Sequence, residues 1–206
     1  MKKVIITIGR QYGSGGRFIG KRLAEELGIP FYDRELIAMS AAEGNLDANL
    51  IEQLDERSSN RFFYSLPGGG YINSAFSGAD LQLSMSDKLF LMQCKVIKRI
   101  ADEGSAVIVG RCSDYVLKEY KEAIHVFIHA DMESKIKRVT SFYGVSPEKA
   151  AATITKTDKI RAKYHNYYTG RKWGTAENYT LAIDSGIGIE EAAAVIKKLA
   201  EEVRKK

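Results

Sequence analysis

The sequence predicts an α/β fold, a five-stranded parallel sheet covered by helices on both faces, and three observations predict it. Short β-branched runs alternate with stretches of helical periodicity from one end of the chain to the other. The first such run empties into glycines and is followed at once by a helical pattern. Ala106-Val107-Ile108-Val109 is a continuous apolar run, the pattern of a strand buried on both faces.

The first strand and its loop form the stretch Val4-Ile5-Ile6-Thr7-Ile8-Gly9-Arg10-Gln11-Tyr12-Gly13-Ser14-Gly15-Gly16-Arg17. Glycine can adopt positive φ and lets backbone N–H groups close on an anion, and the positive end of the following helix adds to that attraction. Gly13, Ser14, Gly15, Gly16 and Arg17 are therefore read as a phosphate loop, the alternative being a turn that binds nothing. The usual pattern GxxxxGK[ST] ends in a lysine for phosphate and a hydroxyl for Mg²⁺. Here Gly16 stands at the lysine, Arg17 comes one position late, and Phe18 stands near the hydroxyl. Arg17 can neutralise phosphate as a planar fork, and Ser14 is a candidate metal-facing hydroxyl.

Ile19, Leu23, Ala24 and Leu27 then recur at helical spacing until Gly28-Ile29-Pro30 stops the helix. A short strand, Phe31-Tyr32, delivers Asp33 and Arg34. Residues just past a strand's carboxyl end face the ligand crevice of an open α/β sheet, so Asp33 can meet a substrate hydroxyl or amine, or cap the helix beginning near Glu35. The pattern over 41–61 is helical and polar, and the aromatic segment around Gly68-Gly69-Gly70 reads as a mobile loop, one that closes over a ligand or else a disordered or interface segment. A helix is expected over about 87–102, and the strand at 106–109 ends in Gly110-Arg111-Cys112. An arginine at that place, after a glycine that permits close approach, suits a phosphate clamp, and a surface salt bridge is the alternative.

Ile124-His125-Val126-Phe127-Ile128 is a further strand, and a helix covers roughly 132–143. His125 and His129 have no cysteine partners at metal spacing and read as structural. Ser146-Pro147-Glu148 opens another helix. Between Lys156 and Lys172 six basic residues, Lys156, Lys159, Arg161, Lys163, Arg171 and Lys172, meet one acid, Asp158, with Tyr164, His165, Tyr167 and Tyr168 interleaved. That run suits a cationic lid over polyphosphate, with a single-stranded nucleic-acid platform as the competing reading. The last strand is placed at residues 179–183, and a final helix from Ile189 turns Ala192, Val195, Ile196, Leu199 and Val203 inward.

Composition narrows the class of partner. The 206 residues are 45% hydrophobic and 28% charged, as in ordinary globular proteins. Thirty-one Lys and Arg against 26 Asp and Glu favour an anionic ligand without demanding nucleic acid. Two cysteines, Cys94 and Cys112, make neither a disulfide framework nor a zinc cluster, so a cytoplasmic setting is expected. Neither a secretory leader nor an apolar run long enough to cross a membrane is read from the chain.

The glycine loop 13–17, Phe31-Tyr32-Asp33-Arg34-Glu35, Val109-Gly110-Arg111, Asp158-Lys159-Ile160-Arg161 and the strand ending at Asp184 come in the order seen in cytidylate-kinase-like proteins, which this chain resembles. The resemblance implies a P-loop kinase domain over 1–206 with a three-layer α/β/α fold, a monophosphate-binding insert near 35–100 and a basic lid near 155–175. It implies ATP with Mg²⁺ as cofactors and a small nucleotide as substrate. Carried over by position, residues 13–17 would hold the donor phosphates. Asp33, with Arg34 beside it, would meet the acceptor nucleoside, and Arg111, with Gly110, its phosphate. Arg161, with Asp158, would approach the transferring group, making Arg17, Arg111, Arg161 and Asp158 the catalytic set. Cytidylate kinase has a true loop lysine and an Asp after its Gly-Arg pair, where this chain has Gly16 and Cys112.

Overall fold

The computed structural model describes residues 2–33, 36, 38–39 and 84–205. Its strands are β1 (Ile5–Arg10), β2 (Phe31–Tyr32), β3 (Ala106–Val109), β4 (Ala123–His129) and β5 (Leu181–Asp184). Its helices are α1 (Gly16–Leu27), α2 (Met85–Glu103), the short α3 (Ser113–Val116), α4 (Met132–Tyr143), α5 (Pro147–Thr169) and α6 (Ile189–Lys205). The chain forms two compact units, Met1–Arg34 with Ile97–Lys206, and Glu35–Val96. The aromatic-glycine loop around Gly68–Gly70 and Arg34 lie outside the described residues.

The five strands are all parallel, in the order β2-β3-β1-β4-β5. β1 is central, with Ile5 opposite both Ala106 and Ala123. Val4, Ile5, Ile6 and Ile8 have no exposure, as both-face burial of a parallel strand requires. Alternation divides them: Val4, Ile6 and Ile8 pack with Ile19, Leu23 and Ala24 of α1 and Ala192, Ala193 and Ile196 of α6. Thr7, also unexposed, is satisfied by His125, whose Nδ1 lies 2.8 Å from Thr7 Oγ1. Burial pushes the His125 imidazole below its ordinary value, so it stays neutral at physiological pH and belongs to the sheet.

Two readings of the sequence shift. The last strand starts at Leu181, not at residue 179, because the Tyr179 N–H turns back to the carbonyl of Ala176 and its ring packs on Phe127 at 5.0 Å. In α6 the buried stripe is Ala192, Ala193, Ile196 and Ala200, whereas Val195 is 46% exposed. At 100° per residue Val195 lies about a third of a turn off the centre of that stripe. Among the described residues no helix is long and apolar enough to cross a membrane.

Candidate functional site

The turn leaving β1 is left-handed at Gly13 and Gly15, both with φ of 79°. A Cβ at Gly13 would stand 2.9 Å from the Lys135 carbonyl oxygen, and one at Gly15 would collide with Ile189 Cδ1. Glycine is thus dictated by both backbone and space. Gly15 is also the N-cap of α1, which no side chain caps and which carries no acid in its first turn. The leading N–H groups of a helix lack intrahelical partners, and the dipole is positive there, so this end of α1 is open to an anion.

Ser14 is tied into the loop by its own hydrogen bonds. It has no exposure, its hydroxyl donates to the Gln11 carbonyl at 2.8 Å, its N–H reaches the same oxygen at 3.3 Å, and its carbonyl accepts from Ser185 Oγ at 2.6 Å. These bonds hold the loop in shape. Arg138 braces the same loop from α4, donating to the carbonyls of Gly13 (3.4 Å) and Ser185 (2.7 Å).

Arginines from separate elements converge beside the loop on Asp33, which is 7% exposed. Arg17, in the first turn of α1, donates Nε to Asp33 Oδ2 at 2.8 Å. Arg10, the last residue of β1, lies 3.6 Å from Asp33 Oδ1. Arg161 of α5 donates to the Arg10 carbonyl at 3.1 Å and is itself drawn toward Asp158 and Asp33. Arg111 is near enough to repel Arg10. Burial, then repulsion by Arg161 and by Arg111, against the attraction of Asp33, pushes the Arg10 guanidinium down from its ordinary value to about 9. A cation so destabilised gains from any anion that enters.

Arg10 is the residue that sequence reasoning missed, and it accounts for the absent loop lysine. A Cβ at Gly16, the lysine position, would stand 2.6 Å from Arg10 Cβ, and one at Gly110, where φ is 78°, would collide with Arg10 Nη1. One glycine opening α1 and one just past β3 therefore make the slot in which the Arg10 side chain lies. The signal was a basic residue at the carboxyl end of the central strand, the same signal that singled out Arg111.

After Gly110 the backbone stays left-handed through Arg111 (φ 60°) and Cys112 (φ 55°), a conformation that costs non-glycine residues energy and gathers at functional sites. Cys112 is buried, and the acid of this turn is Asp114, whose Oδ2 lies 2.8 Å from His165 Nε2 of α5. The inward stripe of α5 changes character along its length. Ala150 and Ile154 pack with Val139, and then polar residues take over. Asp158 accepts the Tyr12 N–H at 2.6 Å and faces Lys135 Nζ at 3.8 Å, Arg161 reaches Arg10, and His165 reaches Asp114. Burial holds the Asp158 carboxyl above its ordinary value despite these partners.

The structure thus brings Gly13, Gly15, Gly16, Arg17, Asp33, Gly110, Arg111, Asp158 and Arg161 to the carboxyl edge of β1, β2 and β3. Of the basic run, Lys156, Lys159 and Lys163 are exposed, and the Arg171 guanidinium sits over the Tyr115 ring at 5.4 Å. Arg161 of the run reaches this cluster. Residues 156–169 continue the helix begun at Pro147.

A parallel sheet whose central strand runs through an uncapped glycine turn into a helix, with cations gathered over that turn, is a P-loop kinase architecture. Solved structures with this fold agree: shikimate kinase from Bacteroides thetaiotaomicron (14% identity, TM-score 0.57, 97% of this chain and 99% of that one) and a gluconokinase from Sinorhizobium meliloti (17%, 0.55, 98% and 95%). An uncharacterized protein from Eubacterium ventriosum is more similar, at 29% identity and a TM-score of 0.70 over 97% of this chain and 99% of its own. The model of the cytidylate kinase-like family matches residues 5–187, and the chain belongs to that family. No curated protein matches it. Family and fold together support a phosphotransferase.

Proposed function

We propose that the protein moves the γ-phosphoryl group of ATP to a small acceptor, a nucleoside monophosphate first of all, with CMP and dCMP the favoured members. The observation that carries this reading is the gathering of Arg10, Arg17 and Arg161 on one buried carboxylate, Asp33, beside an uncapped glycine loop. Phosphoryl transfer passes through a loose transition state with charge spread over the equatorial oxygens, so cations fixed on several elements are the main requirement.

The donor set fits a polyphosphate. The N–H groups opening α1, with Arg17, would hold the donor phosphates. Arg10 and Arg161 would neutralise the transferring group, and Arg111, with Gly110, would hold the acceptor's phosphate. Asp33 would orient the acceptor and, without it, keeps Arg10 and Arg17 in place. Asp158 acts through the loop, by holding the Tyr12 N–H, and so positions rather than touches substrate. ATP brings Mg²⁺, which supplies charge neutralisation. Among the described residues no three carboxylate, histidine or cysteine groups cluster to cage it, so phosphate oxygens and water would be its main ligands. The insert near 35–100 is proposed to carry the acceptor side, and the 155–175 segment to deliver Arg161.

The test is ADP release with ATP and Mg²⁺ against CMP, dCMP, the other nucleoside monophosphates, shikimate and gluconate, with Arg17→Ala beside wild type. Turnover on one acceptor, reduced by about 10²-fold or more in the variant, is the expected result. Saturable ATP binding with no turnover on any acceptor would replace the transferase by a non-catalytic nucleotide sensor.

A further inference from the structure

An unbroken series of aromatic rings leads from the arginine cluster out to solvent. The Arg161 guanidinium lies over the Tyr12 ring, 5.5 Å from its centroid. Tyr12 meets Tyr143 at 5.5 Å, Tyr143 meets Phe18 at 6.3 Å, and Phe18 meets Phe142 at 5.4 Å. The outer rings are not core: Phe18 is 36% exposed, Tyr143 41%, and Phe142, at 66%, the most exposed large apolar side chain among the described residues. Isolated exposed apolar residues are ordinary, but three aromatic rings in one patch mark a contact surface.

The position of that patch says what it contacts. Phe18 belongs to the same opening turn of α1 whose N–H groups face the phosphate site, and Tyr12 directly precedes Gly13. The series therefore starts at cations and ends at open π-faces. A nucleotide has the complementary polarity, anionic at one end and a flat base at the other. We propose that Phe18, Phe142 and Tyr143 are a stacking platform for the base of the nucleotide whose phosphates rest on the 13–17 loop, an inference that rests on the nucleotide reading above. Every base offers a π-face, and the phenyl rings of Phe18 and Phe142 supply no hydrogen-bond pattern to read its edge. The platform accordingly accepts a purine of either kind and discriminates ATP from GTP weakly.

Calorimetric titration of the full chain with ATP and, separately, with inorganic tripolyphosphate tests this, because the second probe has the charge without the base. Phe142 is exposed enough that its replacement does not threaten folding. Phe142→Ala is expected to weaken ATP binding by about tenfold, within the range of base–aromatic stacking, while tripolyphosphate binding stays unchanged and Phe142→Tyr restores ATP. Unchanged ATP affinity in Phe142→Ala overturns the platform and leaves the phosphate site standing, as does an equal loss for both probes, which would mean that the ring only shapes the loop. Self-association of wild type that Phe142→Ala abolishes, with ATP affinity unaltered, overturns it in favour of a second copy of the chain. A wild type that binds neither probe overturns the nucleotide reading and this inference with it.

Discussion

Arg10→Gln is expected to lower phosphoryl transfer by about 10³-fold or more, the scale on which a transition-state arginine acts, while the protein stays folded. Arg10 ends the central strand and lies against Asp33, with Arg161 and Arg111 close enough to repel it. Its guanidinium is held at about 9, well below its ordinary value, so it is still a cation at neutral pH, but one short of negative charge. Entry of a phosphate relieves that shortage, most of all when charge builds up in the transition state. Removing the group leaves Asp33 with its 2.8 Å bond from Arg17, so no buried carboxylate is orphaned and the fold has no reason to fail. Arg10→Lys should recover only part of the rate, since a point charge does not reproduce a planar fork.

Gly110→Ala gives the same prediction without touching any charge. At φ 78° a side chain is strained, and its Cβ would collide with Arg10 Nη1, so the guanidinium must leave its slot. Steady-state ADP release, with thermal melting to confirm folding, checks both variants. Normal turnover in Arg10→Gln would show that the loop cation comes from elsewhere.

The same residue marks where the sequence stops being legible. The strands could be read because each is an apolar run closed by a polar or glycine-containing end, and burial on both faces leaves little else that such runs can do. The glycine turn was legible because positive φ and close approach admit few other residues. Arg10 was not, because the phosphate-loop pattern directs attention to the position after the last glycine, and the space at Gly16 is decided by a strand neighbour that a linear pattern does not show. Val195 was misplaced because an apolar residue near the edge of a helical stripe can fall either way, and here the small side chains of Ala192, Ala193 and Ala200 form the buried face. The second half of α5 was the hardest. Its inward residues are Asp158, Arg161, His165 and Thr169, so periodicity finds no apolar stripe, and the exposed Lys156, Lys159 and Lys163 dominate the impression. The partner of His165 is 51 residues away, on a turn whose left-handed backbone carries no glycine after Gly110.

That partnership carries the second large effect, this time on folding. Asp114→Ala is expected to destabilise the protein by about 3 kcal/mol, the scale for stranding a buried polar partner, and to lower the melting temperature by roughly 6–12 °C for a chain of this size. Asp114 and His165 side chains are only 7% and 5% exposed, and the other imidazole nitrogen has just a 3.2 Å contact with Thr169 Oγ1. Loss of the carboxylate leaves His165 Nε2 without its partner in a place that water reaches poorly. Asp114→Asn should cost less, because an amide can still hydrogen-bond there. Alanine should also act locally, since the second half of α5 is held by directional polar contacts rather than by an apolar stripe. Hydrogen exchange should therefore quicken over 158–169 before it does in α1 or α6, whose apolar faces are intact. Arg161 sits one helical turn before His165, so a looser α5 also releases a transfer-site arginine. An Asp114→Ala protein that melts with wild type and exchanges like it would mean that the two side chains merely lie close, and that α5 is anchored through Ile154 and Asp158 alone.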